Sequence, residues 1–209
     1  MLFNYEKNGA AIYKESFTTI RAEADLSAFT PEEEVIAVRM IHASGMVELA
    51  KSIKFTPDFA IEARTAIENG APVLCDTKMV SEGITRSRLS KSNQIICTLQ
   101  DPRVKAMSKN AGNTRSAVAI ELWRPYLEGS VVAIGNAPTA LFHLLNLLQN
   151  PDYPRPAAII GCPVGFVGAR ESKEALLLSA PVPCCITTGR LGGSAITVAA
   201  INALASHIE

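Results

Sequence analysis

Beyond residue 70 the chain alternates short apolar runs with longer stretches of helical periodicity. The runs are Pro72–Cys75, Gln94–Thr98, Ser130–Ile134, Ala157–Gly161 and Cys184–Thr187. Each is followed by a loop rich in Gly, Asn, Thr or Pro. The stretches that read as helices are Lys78–Arg86, Arg115–Tyr126, Thr139–Gln149, Ser172–Leu178 and Ser194–His207. Strands apolar on both faces and alternating with helices belong to a parallel sheet covered on both sides. The pattern predicts an α/β fold of three layers, α/β/α, with a five-stranded parallel, flavodoxin-like sheet in the order 2-1-3-4-5. Residues 1–70 read as helical instead. Residues 1–21 read as one amphipathic helix, with Ile12, Phe17 and Ile20 on one side, and another spans Asp58–Asn69 and stops at Asn69-Gly70. We read 1–209 as a single domain, its helical region 1–70 packed beside a doubly wound core over 71–209.

The stretch from Thr30 to Ala50 carries the chain's most informative polar residue. Thr30, Pro31 and Glu33 form a capped helix start, with a Thr-x-x-Glu capping box and proline at the first helical position. Val35, Val38, Met46 and Leu49 continue an apolar stripe at helical spacing, and His42 falls on it. A titratable ring on an apolar face is either a hydrogen-bonded core residue or a working group. The small neighbours Ala43, Ser44 and Gly45 leave room for something large to approach it.

Charge changes this picture more than composition does. The formal net charge is zero and hydrophobic residues make up 48% of the chain. Residues 1–34 nevertheless hold seven acids against three bases, and residues 76–115 hold eight bases against three acids. Such a basic stretch is either a solvated face or a patch for an anionic partner. Aromatic residues are scarce in it, which argues against a stacking surface for nucleic acid and favours a polyanionic small molecule. No apolar run is long enough to span a bilayer. The opening MLFNYEKNGAAIYKES has acids and no basic, apolar signal pattern, so a cytoplasmic protein is expected. Cys75, Cys97, Cys162, Cys184 and Cys185 form no C-x-x-C pair and read as free thiols, with no zinc site.

In a parallel sheet, ligands bind outside the carboxyl ends of the strands. Here that selects the loops 76–79, 99–103, 135–138, 162–170 and 188–194. Asn136 and Pro138 open a helix whose backbone N–H groups could hold a carboxylate or phosphate. The run 189-GRLGGS-194 allows close backbone approach to a ligand. The chain has no P-loop, no strict G-x-G-x-x-G, no G-x-S-x-G and no H-E-x-x-H. Of three histidines, His143 lies among leucines and is expected to be packed, and His207 is near the end. A three-histidine metal site is therefore not expected. What remains is acid–base chemistry by His42 beside an anion-binding surface.

Eight segments carry a resemblance to a known family. They are 12-IYKESFTTIRAEADLS-27, 38-VRMIHASGMVE-48, 71-APVLCDTKMV-80, 83-GITRSRL-89, 112-GNTRSA-117, 131-VVAIGNAPTALF-142, 159-IIGCPVGFVGARESKEAL-176 and 189-GRLGGSA-195. In this order, along nearly the whole chain, they resemble the precorrin-8X methylmutases of cobalamin biosynthesis, also called cobalt-precorrin-8 methylmutases. The resemblance implies an isomerase that moves the C-11 methyl group of precorrin-8X, or cobalt-precorrin-8, to C-12 by a [1,5]-sigmatropic shift. It implies no cofactor, a homodimer with sites near the interface, and a substrate with many carboxylates. His42 aligns with the family's catalytic histidine, whose role is to protonate or hydrogen-bond a ring nitrogen beside the migrating methyl. Arg115 matches a substrate-binding position, as do Ser16, Thr85 and Arg86. Arg21 and Lys78 are added from charge and loop placement, and Asn136 and Gly192 from their loops. Two other readings use the same features: a tetrapyrrole carrier without turnover, and a nucleotide-binding protein using Gly189–Ser194.

Overall fold

The computed structural model describes residues 2–89 and 91–206, so His207 lies outside the described residues. The order of elements is α1 (Gly9–Glu23), α2 (Pro31–Ser44), β1 (Ile53–Phe55), α3 (Phe59–Glu68), β2 (Val73–Cys75) and α4 (Lys78–Gly83). There follow β3 (Ile95–Ile96), α5 (Pro102–Ala111), α6 (Arg115–Ala119), β4 (Val131–Ile134), α7 (Pro138–Leu147), β5 (Ala158–Gly161), α8 (Ala169–Ser179), β6 (Cys184–Thr187) and α9 (Ser194–Leu204).

Among the described residues the sheet has six strands, in the order β1-β6-β5-β4-β2-β3. The five strands from β2 onward pair in parallel, and β1 pairs antiparallel with β6, Lys54 opposite Ile186. The five-strand expectation therefore falls short by one edge strand, and residues 1–70 are not wholly helical. β1 was missed because Ile-Lys-Phe is three residues long, and periodicity needs more to register.

Alternation along the strands divides two cores. Val73, Val131, Ala133, Ile160 and Cys185 face one side, where α1, α2, α3 and α9 pack. Leu74, Val132, Ile134, Ile159 and Ile186 face the other, against α7, α8 and Trp123. The N-terminal helices are thus one wall of the same core, with α2 lying directly against α9.

The capping box at Thr30 and Glu33 is formed in both directions. The helix it starts is shorter than expected. It ends at Ser44, where Gly45 turns left-handed at φ 67° and returns its N–H to the Ile41 carbonyl at 2.9 Å. Met46 and Leu49 consequently lie off α2, Leu49 in a 3-10 turn over Val47–Lys51. The buried residues of α2 are Ile36, Ala37, Val38, Arg39, Met40 and Ile41, because other helices enclose it. The helix expected over 115–126 stops at Ala119 and tightens into a 3-10 turn that contains Pro125. α5 begins inside the loop expected over 99–103 and continues where no helix was expected. Its signals were present in the sequence: Asp101 at the N-cap, Pro102 in the first turn and Gly112 just past the end.

Candidate active site

His42 occupies the last turn of α2, half-buried, with its ring turned to α1. Its Nδ1 lies 2.8 Å from the Ser16 hydroxyl. Tyr13 and Phe17, one turn apart on α1, hold the ring from the sides, each with its centroid 5.3 Å away. Residues 13, 16 and 17 share one helix face by their three- and four-residue spacing, so α1 presents all three to the imidazole. Arg39, one turn before His42 and only 7% exposed, places its guanidinium 5.3 Å over the Phe17 ring. With Nδ1 engaged by Ser16, Nε2 is the ring nitrogen left for a ligand.

A cleft opens beside this ring and a second adjoins it. The first, of about 400 Å³, is lined by His42, Tyr13 and Arg39 on one side and by Met79, Thr85 and Arg88 on another, with α9 from Ser194 to Asn202 as the floor. The second, of about 390 Å³, shares Ala43 and Ala195 with the first and extends to Gly192, Leu191 and Phe166. Each falls within the usual range for small-molecule sites, about 300–1,000 Å³. The shared wall makes them one elongated depression along the C-terminal turn of α2 and the N-terminal turn of α9. Small side chains at 43, 194 and 195 keep it open.

The wall at Gly192 is held tightly. A Cβ at this position would lie 2.3 Å from the Cys162 carbonyl oxygen, and its φ of 148° is foreign to L side chains. The Gly193 N–H donates to that same carbonyl at 2.8 Å. Behind it, the Leu191 carbonyl accepts from the Thr187 hydroxyl at 2.8 Å and from the ammonium of Lys173, a fully buried lysine. Burial pushes that ammonium's pKa down.

Of the residues selected from sequence, His42 and Thr85 line the first cleft, Ser16 reaches it only through its bond to His42, and Gly192 lines the second. The others stand elsewhere. Arg21 is paired with Glu34 at 2.7 Å. Lys78, Arg86, Arg115 and Asn136 are exposed and line neither cleft, and Arg115 Nη2 donates to the Leu99 carbonyl at 3.3 Å. The N–H groups at 135–137, read as an anion site, are already occupied. The buried Asp76 carboxylate accepts from Gly135 at 3.0 Å, Asn136 at 2.9 Å and Ala137 at 2.8 Å. His143 is not simply packed among leucines; its Nε2 lies 3.0 Å from a Glu121 carboxylate oxygen. All five cysteines are free thiols. Tyr13, Arg39, Arg88 and Asn202 were not singled out from sequence. For Tyr13 and Arg39 a signal existed, since they lie one helical turn from Ser16 or Phe17 and from His42.

The profile of the precorrin-8X methylmutase family (CbiC) matches residues 11–207. The chain belongs to the precorrin-8X methylmutase family. It is similar to a precorrin-8X methylmutase of a Sinorhizobium species, 57% identical over 97% of each chain. It is also similar to one of Pseudomonas aeruginosa, 54% identical over the full length of both. A cobalt-precorrin-8 methylmutase of Priestia megaterium is 38% identical, with 90% of this chain and 84% of that protein covered. Among solved structures, the precorrin-8X methylmutase of Thermus thermophilus superposes with a TM-score of 0.86 at 37% identity, over 94% of this chain and 95% of the other. As a methylmutase the chain is an isomerase of cobalamin biosynthesis. Among its described residues no helix is long and apolar enough to cross a membrane.

Proposed function

We propose that this chain moves the C-11 methyl group of precorrin-8X, or of cobalt-precorrin-8, to C-12, with His42 as proton donor to the macrocycle. The observation that carries the reading is the His42–Ser16 pair at the edge of an elongated, open depression. When the Ser16 hydroxyl donates to Nδ1, the imidazole carries its proton on Nε2 and offers it to a ring nitrogen beside the migrating methyl. Drawing electron density into the ring system lowers the barrier to migration, and the proton returns to His42 when the isomer forms. General-acid help of this kind is worth about a hundred- to ten-thousandfold in rate. The rest falls to the cleft, which holds the macrocycle in a shape close to that of migration.

A flat tetrapyrrole exceeds either cleft alone, and the shared wall at Ala43 and Ala195 lets it lie across both. Arg86 and Arg115, as the family resemblance implies, and Lys78 and Asn136, from charge or loop placement, would then meet peripheral carboxylates beyond the cleft walls. The protein works as a homodimer on this reading. The exposed Phe166 and Val167, 84% and 89% accessible beside the second cleft, are suitable contact surface. Light scattering of the purified chain tests the dimer.

Anaerobic absorbance spectra of wild type and His42→Ala with precorrin-8X test the reaction. Conversion by wild type, and binding without conversion by the variant, support the reading. Conversion by His42→Ala at the wild-type rate rejects His42 as the acid, and binding without turnover by wild type would leave a carrier.

A further inference from the structure

The segment 83-GITRSRL-89 contains two arginines, and only the second faces the cleft. Arg86 is exposed outside the walls, whereas Arg88 lines the first cleft. Its position is fixed by α9. The Asn202 carboxamide accepts the Thr85 N–H at 2.9 Å and donates to the Gly83 carbonyl at 3.3 Å. A Val198 methyl lies 2.7 Å from where a Cβ at residue 83 would sit, so α4 ends in close contact with α9. From Thr85 the chain makes a 3-10 turn, and the Arg88 N–H donates to the Thr85 carbonyl at 2.9 Å.

One nitrogen of the Arg88 guanidinium, Nη1, is shielded from solvent and meets no hydrogen-bond acceptor among the described residues. A guanidinium cannot shed its proton to escape this, and an unmade bond of a buried charged donor is costly. Among the described residues, no Asp or Glu lines the cleft beside Arg88. An acceptor has to arrive with the ligand.

We infer that Arg88 binds a carboxylate of the substrate's side arms and thereby sets the orientation of the macrocycle relative to His42. The inference rests on the functional reading above, which supplies a polycarboxylate ligand. It adds a residue that the sequence reading passed over in favour of its neighbour Arg86.

The test uses full-length Arg88→Gln and Arg88→Lys, with Arg103→Gln as a control for net charge. Arg103 is exposed and paired with Asp101, away from the cleft. KM and kcat for precorrin-8X are measured together with the melting temperature of each ligand-free protein. Loss of one charged hydrogen bond raises KM about ten- to a hundredfold in Arg88→Gln, with kcat less affected. Arg88→Lys recovers part of that loss, and Arg103→Gln leaves KM unchanged. The ligand-free melting temperature of Arg88→Gln stays level or rises, because a shielded N–H donor without an acceptor has been removed. A wild-type KM in Arg88→Gln, or a lowered melting temperature with KM unchanged in both Arg88 variants, overturns the inference while leaving the methylmutase reading intact. A wild-type protein that fails to convert precorrin-8X overturns the reading itself.

Discussion

Asp76→Asn probes how the carboxyl end of β2 holds the start of α7. The Asp76 side chain accepts three backbone N–H groups, one on Oδ1 and two on Oδ2, from a position only 3% exposed. Burial raises its pKa above the ordinary carboxylate value, and the three N–H bonds only partly oppose this. An amide avoids the desolvation of a charge but has a single acceptor oxygen. In its better orientation that oxygen keeps Asn136 and Ala137, and the NH2 group is turned against the Gly135 N–H. A bond to a charged acceptor is worth about 1.5–3 kcal/mol, and the two retained bonds weaken when the charge goes. Relief of desolvation offsets the weakening of the two retained bonds, and the Gly135 N–H left facing an NH2 group accounts for a net loss of about 2–3 kcal/mol. For a chain of this length each kcal/mol moves the melting temperature by about 2–4 °C, so the midpoint should fall by roughly 4–12 °C. Circular dichroism melts and urea titrations at neutral pH measure it. Asp76→Ala frees all three N–H groups and should lose about 3–5 kcal/mol. Millimolar phosphate should then raise its melting temperature more than that of wild type, because converging N–H groups at a helix start bind anions. A midpoint for Asp76→Asn within about 1 °C of wild type would refute this account and assign the loop to packing alone.

Three further outcomes follow from the same geometry. Gly192→Ala drives a methyl into the Cys162 carbonyl and forces a foreign φ, so a drop in melting temperature and a rise in KM for precorrin-8X are expected; unchanged values for both would count against a tight wall. Ser16→Ala removes the hydroxyl that orients the His42 ring, and kcat should fall about five- to tenfold, as for loss of one net hydrogen bond, with stopped-flow single turnovers as the readout. The Arg103 side chain holds the Asp101 carboxyl down at about 2 from 3.8, so its stabilising contribution is present above the unfolded value and is lost as pH falls towards 2. The melting-temperature gap between wild type and Asp101→Asn should therefore be flat at neutral pH and close below pH 3.8; a gap that persists at pH 2 would contradict it.

The apolar runs and their spacing, which are local properties, determined much of the architecture. Runs such as 131-VVAI-134 can only be buried on both faces, and this alone demands a sheet with helices on either side. The start of α2 was likewise legible, since Thr30, Pro31 and Glu33 act on each other within one turn. Its end at Gly45 depended on backbone freedom that the apolar spacing of Met46 and Leu49 masked. His42 was singled out by its place on an apolar face, but the partners that orient it could not be. Ser16 lies 26 residues earlier on another helix, and only the packing of α1 on α2 brings the two within 2.8 Å. Charge was the poorest guide. Composition cannot tell a cation that lines a cleft from one that faces water, and so Arg86 and Arg88 look alike in sequence. The contact of α4 with α9 and the grip of Asn202 turn the second into the cleft and leave the first outside. The amides at 135–137 show the same limit, for whether an N–H is free depends on a carboxylate about sixty residues away. Local periodicity decides which elements form, and long-range contacts decide which of their side chains remain available for chemistry.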